Sequence, residues 1–267
     1  MQLKDNLRKM RVVHTSPVTY YLKLGEVETK MNPLVNQEIR IQFTGNINCV
    51  ACGRLTKKAF GQGFCYPCFV KSPLNSECII RPELCQGHEG IGRDPEWERE
   101  NHDQPHFVYL ALTSSVKVGV TREDQIPVRW IDQGAWKAIK FAYTPYRQLA
   151  GFMEADLKSH MSDKTNWQKM LKNEMDESID LLAEKNRMHE YLNPDQQTYF
   201  LPGNNEIFTF EYPVSDYPDK IKSINLDKEP AFSGLLKGIR GQYLILSDNR
   251  VINLRKYSGY EIILEYD

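Results

Sequence analysis

All six cysteines of this 267-residue chain fall between Cys49 and Cys85. Within that window Cys49-x2-Cys52 and Cys65-x2-Cys68 form two pairs separated by twelve residues. Each pair reads as a knuckle, a tight turn that points two thiolates at one ion. Two knuckles at this spacing supply the closed tetrahedral set that structural zinc prefers. Gly53 follows the first pair, where the turn favours glycine. Four thiolates leave no open coordination position, so such an ion holds the fold and activates no water. A disulfide framework fits poorly, because secreted disulfide scaffolds are shorter and spread their cysteines along most of the chain.

A second set follows. Cys78, Cys85 and His88 have ligand-like spacing, and His102 or His106 can complete a Cys2His2 site. His102 is the better choice, because His106 abuts the strand that begins at Phe107. The alternative is two buried cysteines with nearby histidines. His14, His160 and His189 stand outside both sets and read as surface or core residues.

Composition narrows the class. Hydrophobic residues are 41% and charged ones 26%, which is ordinary for a globular chain. No apolar run approaches the roughly 20 residues that span a bilayer, and the charged Met-Gln-Leu-Lys-Asp start is unlike a signal peptide. These features predict a cytoplasmic protein with no membrane partner. A net charge of −1 excludes nucleic-acid binding over the whole surface, though not in a local groove. Three basic clusters stand out: Arg8, Lys9 and Arg11; Arg54, Lys57 and Lys58; and a looser set of Lys237, Arg240, Arg250, Arg255 and Lys256.

The pattern along the chain predicts an α+β fold in four parts. Residues 1–45 form a β-rich segment with strands over 18–24 and 38–43. Residues 46–104 are the turn-rich zinc-binding region, with no sustained helical period. In residues 105–175, a strand over 107–112, a tight turn Thr113-Ser-Ser115 and a strand over 116–120 make a hairpin. Pro127 then opens a short helix bearing Arg129, and 136–143 is a third strand. Thr144-Pro145 starts a helix to about His160. Residues 176–267 continue a helix that begins after the break at Asp163–Trp167 and runs to about Tyr191. Its apolar face carries Met170, Leu171, Met175, Ile179, Leu181 and Leu182. Strands at 208–212, 232–239, 243–246, 251–254 and 261–266 then build a small β-rich domain, from this end alone or with the N-terminal one.

The stretch from Phe107 resembles the GIY-YIG nuclease superfamily. Phe107-Val108-Tyr109 occupies the first tripeptide motif and Lys117-Val118-Gly119 the second. Arg129 and Glu154 follow on successive helices. The first motif has Phe107 in place of its glycine, and the second has Lys117 in place of its tyrosine. The resemblance implies a β-β-α-β-α core in which Tyr109 activates water, Glu154 holds Mg2+ or Mn2+, and Arg129 stabilises the phosphorane-like charge. Lys117, Gly119 and Arg122 would then lie against the nucleic acid. Elementary chemistry asks for the same parts: a positioned base, a hard cation on carboxylate oxygen, and a cationic clamp. If Leu112 pairs with Val116, Tyr109 faces Gly119 across the hairpin and Lys117 shares its face. A neighbouring ammonium there favours the phenolate.

Read end to end, the chain resembles an uncharacterised bacterial family, DUF2797. The cysteine knuckles, Val-Tyr-Leu-Ala111, Lys-Val-Gly-Val-Thr-Arg122, Arg-Trp-Ile-Asp-Gln-Gly-Ala135, Asp-Lys-Thr-Asn-Trp167 and the run from Gly-Gln-Tyr-Leu-Ile-Leu246 to Arg255 carry that resemblance. It implies an architecture and no activity. Three functions therefore stand side by side: a metal-dependent nuclease scaffolded by zinc, a nucleic-acid-binding module with a retired active site, and a zinc-scaffolded interaction protein.

Overall fold

A computed structural model describes residues 1–161 and 166–267. The chain is a mixed α+β protein that separates into two units. One comprises Met1–Val70, Ile131–Gly134 and Phe210–Asp267; the other comprises Lys71–Trp130 and Ala135–Thr209. Residues 46–104 are thus shared, with the first four cysteines in the first unit and the last two in the second.

The first unit is built by both chain ends together. Its main sheet runs in the order Gln2–Asn6, Tyr260–Tyr266, Glu38–Asn48, Ala231–Arg240, Tyr243–Leu246, Arg250–Asn253 and Lys222–Ser223. Leu55–Thr56 folds back onto the end of Glu38–Asn48. All of these pairings are antiparallel except that of Lys222–Ser223 with Arg250–Asn253. Alternation sets the buried face: Ile39 and Ile41 point inward from one strand, and Tyr260, Ile262 and Leu264 from its neighbour. A separate three-stranded sheet joins Arg11–Val13, Thr19–Leu24 and Val27–Lys30.

The second unit centres on a four-stranded antiparallel sheet in the order Ile207–Thr209, Lys137–Thr144, His106–Leu112, Val116–Arg122. Its elements from His106 follow the order β-β-α-β-α, with the helices Val128–Asp132 and Arg147–Lys158. Leu112 pairs with Val116 and Tyr109 with Gly119, the expected hairpin register. Alternate residues Val108, Leu110, Val118 and Val120 enter a core closed by Ala150, Met153 and Leu157 of one helix and Leu181 and Met188 of another. That apolar interface spaced at three and four residues is what holds the Arg147–Lys158 helix on the sheet.

Several expectations change. The helix after the third strand begins at Arg147, not at Pro145, because Thr144 is still paired with His106 in the sheet and donates its hydroxyl to that residue's carbonyl at 3.3 Å. The helix expected from Trp167 to Tyr191 is two, Trp167–Leu171 and Leu181–His189. Asn173 turns the chain with φ 59°, and Asp180 caps the second helix by accepting from the Leu182 and Ala183 N–H groups. Asp163, Lys164 and Thr165 of the expected break lie outside the described residues. Region 46–104 does contain helices, Tyr66–Lys71 and Pro95–His102. The strand read over 208–212 is the shorter Ile207–Thr209.

Candidate functional site

The first cysteine cluster grows directly from the sheet. Glu38–Asn48 ends one residue before Cys49, and the hairpin partner Leu55–Thr56 returns beside it. The Cys49 N–H donates to the Arg54 carbonyl and the Gly53 N–H to the Cys49 carbonyl, both at 2.9 Å. Gly53 sits at φ 72°, the left-handed turn that favours glycine. In the second knuckle the Phe69 N–H donates to the Cys65 carbonyl at 2.8 Å. The four sulfurs of Cys49, Cys52, Cys65 and Cys68 lie within 4.8 Å of one another. Cys52 and Cys65 are 3.8 Å apart, and a tetrahedral ion with metal–sulfur bonds of about 2.3 Å separates its sulfurs by about that distance. Burial opposes ionisation of Cys49, yet N–H groups of Cys65, Cys52 and Ala51 lower its thiol to about 6. Hydrogen bonds with Cys52 and Cys65 push Cys68 up to about 12. Four sulfurs crowded this closely compete for protons, and a bound cation removes the competition.

The second cluster is assembled differently. Cys78 lies in the 3-10 turn Glu77–Ile79, and Cys85 follows the turn Pro82–Leu84. The helix Pro95–His102 adds Glu98 and His102, four residues apart and therefore on one face. These four residues place their ligand atoms within 4.8 Å of one another, and all four are buried. Cys85 Sγ is 3.4 Å and Cys78 Sγ 3.9 Å from His102 Nδ1, which is in contact with a Glu98 carboxylate oxygen. The Ser76 hydroxyl donates to the other Glu98 oxygen at 3.2 Å. Gly92 makes room for this carboxylate, since a Cβ there would meet Glu98 Cγ at 2.4 Å. A hydrogen bond from Cys78 lowers the Cys85 thiol to about 4 against its burial, with His102 and the Gly87 N–H assisting. Both clusters can hold metal ions.

His88 is not among these four residues. Its ring stacks on Tyr146 at 4.1 Å, and Glu98 occupies the fourth place instead. His106 also stands apart from the set. It donates from Nδ1 to the Gln104 carbonyl at 2.7 Å, and burial lowers it to about 3. Glu98 escaped sequence reading because its helix buries polar rather than apolar residues. The signal was present: Asp94-Pro95 is a helix start, and Asp94 accepts from the Trp97 N–H at 3.2 Å. Arg147 was also missed. It clasps the cluster, donating to the Cys78 carbonyl at 2.9 and 3.2 Å and to the Ile79 carbonyl at 3.2 Å.

The nuclease-like residues fall into two groups. Tyr109 is fully buried, its ring edge-on to Trp130 at 5.7 Å. It lies across Gly119, where an added Cβ would meet its hydroxyl at 2.5 Å. Lys117 is half-buried two residues along that strand, on the same face. The second group is charged. Burial pushes the Glu154 carboxyl above its usual range, while Lys158, at 3.3 Å, and then Arg147 and Arg129 pull it back. Arg129 is half-buried on the short helix Val128–Asp132. Arg122 is engaged elsewhere, donating to Asn101 at 2.5 Å and pairing with Asp124 at 3.2 Å.

Among the described residues no helix is long and apolar enough to cross a membrane. Neither the curated proteins nor the solved structures contain a match to the chain. The chain belongs to the family described as protein of unknown function (DUF2797), whose model matches residues 36–262.

Proposed function

We propose that the protein hydrolyses phosphodiester bonds in nucleic acid, using a divergent GIY-YIG-like core held on a zinc-bound frame. The observation that carries this reading is Glu154, a carboxylate nine-tenths buried and electrostatically coupled to Arg129 and Arg147. Burial raises this carboxyl while Lys158, Arg147 and Arg129 pull it back, and perturbed groups of this kind gather at functional sites. The β-β-α-β-α order and the seating of Tyr109 over Gly119 support the same reading.

In this account zinc occupies Cys49, Cys52, Cys65 and Cys68 in a ribbon-like module and acts only on stability. A second zinc at Cys78, Cys85, His102 and Glu98 fixes the turns that Arg147 clasps. Mg2+ or Mn2+ suits Glu154, since a hard cation commonly takes one carboxylate and fills its shell with water and phosphate oxygens; bound there, it would supply Lewis acidity. Arg129 binds the phosphate and offsets charge as it builds on phosphorus. Tyr109 positions or deprotonates the attacking water, with Lys117 favouring its phenolate.

One observation favours a second reading, the binding module with a retired site: Tyr109 is sealed from solvent. A cleavage assay separates them. Labelled single- and double-stranded DNA and RNA, with Mg2+ or Mn2+, are cut by the wild type and not by Glu154→Gln. Uncut substrate in both, or equal cutting by the variant, overturns hydrolysis at Glu154.

A further inference from the structure

The cysteine knuckle of the first unit has a surface that phosphodiester hydrolysis does not use. From Ile39 to Val70 the chain carries Arg40, Arg54, Lys57 and Lys58 and not one Asp or Glu. This is unusual in a protein of net charge −1. Arg54, Lys57 and Lys58 are exposed, and none of the three makes an ion pair among the described residues. Like charges gathered on one exposed surface raise the local positive potential and favour an anionic partner.

The fold adds cations that the sequence keeps far apart. Arg8 donates to the Val50 carbonyl, inside the first knuckle, at 3.3 Å. Arg255 donates to Gln62, in the loop leading to the second, at 2.7 Å. Lys256 follows it and is exposed. One member or more of each basic cluster in the sequence therefore reaches this module. Four thiolates on a divalent cation contribute a double negative charge, and six cations outweigh it.

Aromatic rings stand among these charges. Tyr66 is 60% exposed, an odd position for a ring in a cysteine knuckle. It packs edge-on to Phe60 at 5.4 Å, which leaves ring surface open to solvent. Phe60 in turn touches Phe69 at 5.8 Å, and Lys58 Nζ lies 5.3 Å from the Phe60 ring centre. Exposed Leu55 adds an apolar side chain on the neighbouring hairpin strand. Cations that track a phosphate backbone, interleaved with an exposed ring on which a base can stack, are the recognition chemistry of single-stranded nucleic acid. An acidic polypeptide would satisfy the cations and leave Tyr66 without a purpose.

We infer that the Cys49–Cys68 knuckle is a docking surface for single-stranded nucleic acid, with Arg54, Lys57 and Lys58 on phosphates and Tyr66 stacked on a base. This goes beyond hydrolysis at Glu154 and does not depend on it. The test is fluorescence anisotropy with the full chain, labelled oligodeoxythymidylate and oligouridylate, and no added Mg2+ or Mn2+. The wild type should bind, with affinity falling steeply as salt rises, by a slope of about −0.7 per phosphate contacted. Lys57→Glu with Lys58→Glu should weaken binding by about tenfold or more and flatten that slope. Tyr66→Ala should cost about tenfold, and Tyr66→Phe should recover it. Unchanged zinc content shows that each variant keeps the knuckle. Equal binding by all variants overturns the inference. So does a duplex bound as tightly as the single strand, or a polyglutamate that competes equally well whether or not Tyr66 is present. Binding as expected, with no cleavage in the assay that includes Mg2+ or Mn2+, would sink the hydrolysis reading and leave this one standing.

Discussion

The two cysteine clusters solve the same problem with different materials. In the first unit a turn gives Cys49 and Cys52, Cys65 and the short helix Tyr66–Lys71 that follows it give the second pair, and backbone N–H groups stabilise the thiolate of Cys49. In the second unit two turns give two sulfurs, and a helix gives a carboxylate and an imidazole. The first set is all-thiolate, soft and closed. The second contains a hard carboxylate oxygen and is clasped by the half-buried Arg147. Paired cysteines two residues apart leave a spacing in the sequence, whereas Glu98 and His102 leave only a helix. The contrast also predicts different roles: an ion at the first cluster would tie together two short segments at the end of a sheet strand, while the second cluster sits beside a well-packed sheet.

The largest expected effect tests that dependence. Cys49→Ser with Cys52→Ser should remove one metal ion per chain and destabilise the first unit by more than about 5 kcal/mol, seen as lost cooperative melting and lost zinc. A stable protein with unchanged metal content would break the comparison at its stronger end. The second cluster should respond less. Glu98→Gln keeps shape but removes charge, and should weaken the second ion by about 100-fold, or about 3 kcal/mol, in chelator competition. His88→Ala should leave that affinity unchanged. The reverse outcome would restore His88 as the ligand and displace Glu98.

Acid sharpens the comparison within the second unit. His106 titrates near 3 rather than 6.5 because burial disfavours its charged form. Below 6.5 the unfolded chain binds a proton that the folded chain refuses, so this contribution is complete above 6.5 and is lost as pH falls toward 3. Between pH 6.5 and 5.5 His106→Gln should lose less stability than the wild type, by about 1 kcal/mol, in paired denaturant titrations. Parallel curves would show that His106 charges without cost. The smallest effect belongs to Arg147→Lys, which keeps the charge and loses the forked grip on the Cys78 carbonyl. About 1 kcal/mol of stability should go, with the metal count intact.

Much of this was legible in the residues. The Cys49–Cys68 spacing announced four convergent thiolates. The turn at Thr113-Ser-Ser115 suggested that Leu112 pairs with Val116 and Tyr109 with Gly119, a register that the fold keeps. Both β-rich ends were visible too. Glu98 was not, because a buried carboxylate has no periodic signature when its helix has no apolar face. The continuous helix after Trp167 failed because Met170, Leu181 and Leu182 keep helical spacing across a turn that local residues impose: Asn173 takes a left-handed conformation and Asp180 caps a new start. Thr144 looked like a cap by residue type, but its pairing with His106 outweighed that preference. The charged pair Arg129 and Glu154 was chosen by order along the chain, and the fold brings the two within electrostatic reach.

The strand order of the first unit has a bearing on how the molecule is made. Tyr260–Tyr266 lies between Gln2–Asn6 and Glu38–Asn48, so the earliest strands to leave the ribosome cannot be joined until one of the last arrives. At about 5–20 residues per second the delay over the roughly 210 intervening residues is about 10–40 s. During that interval Glu38–Asn48 presents an open edge beside the Cys49 knuckle, and unpaired edges invite association between nascent chains. An ion captured early by the four thiolates would pin the hairpin Asn48–Leu55 to its partner before the sheet exists. A metal bound there would act as a chaperone in time as well as a brace in space.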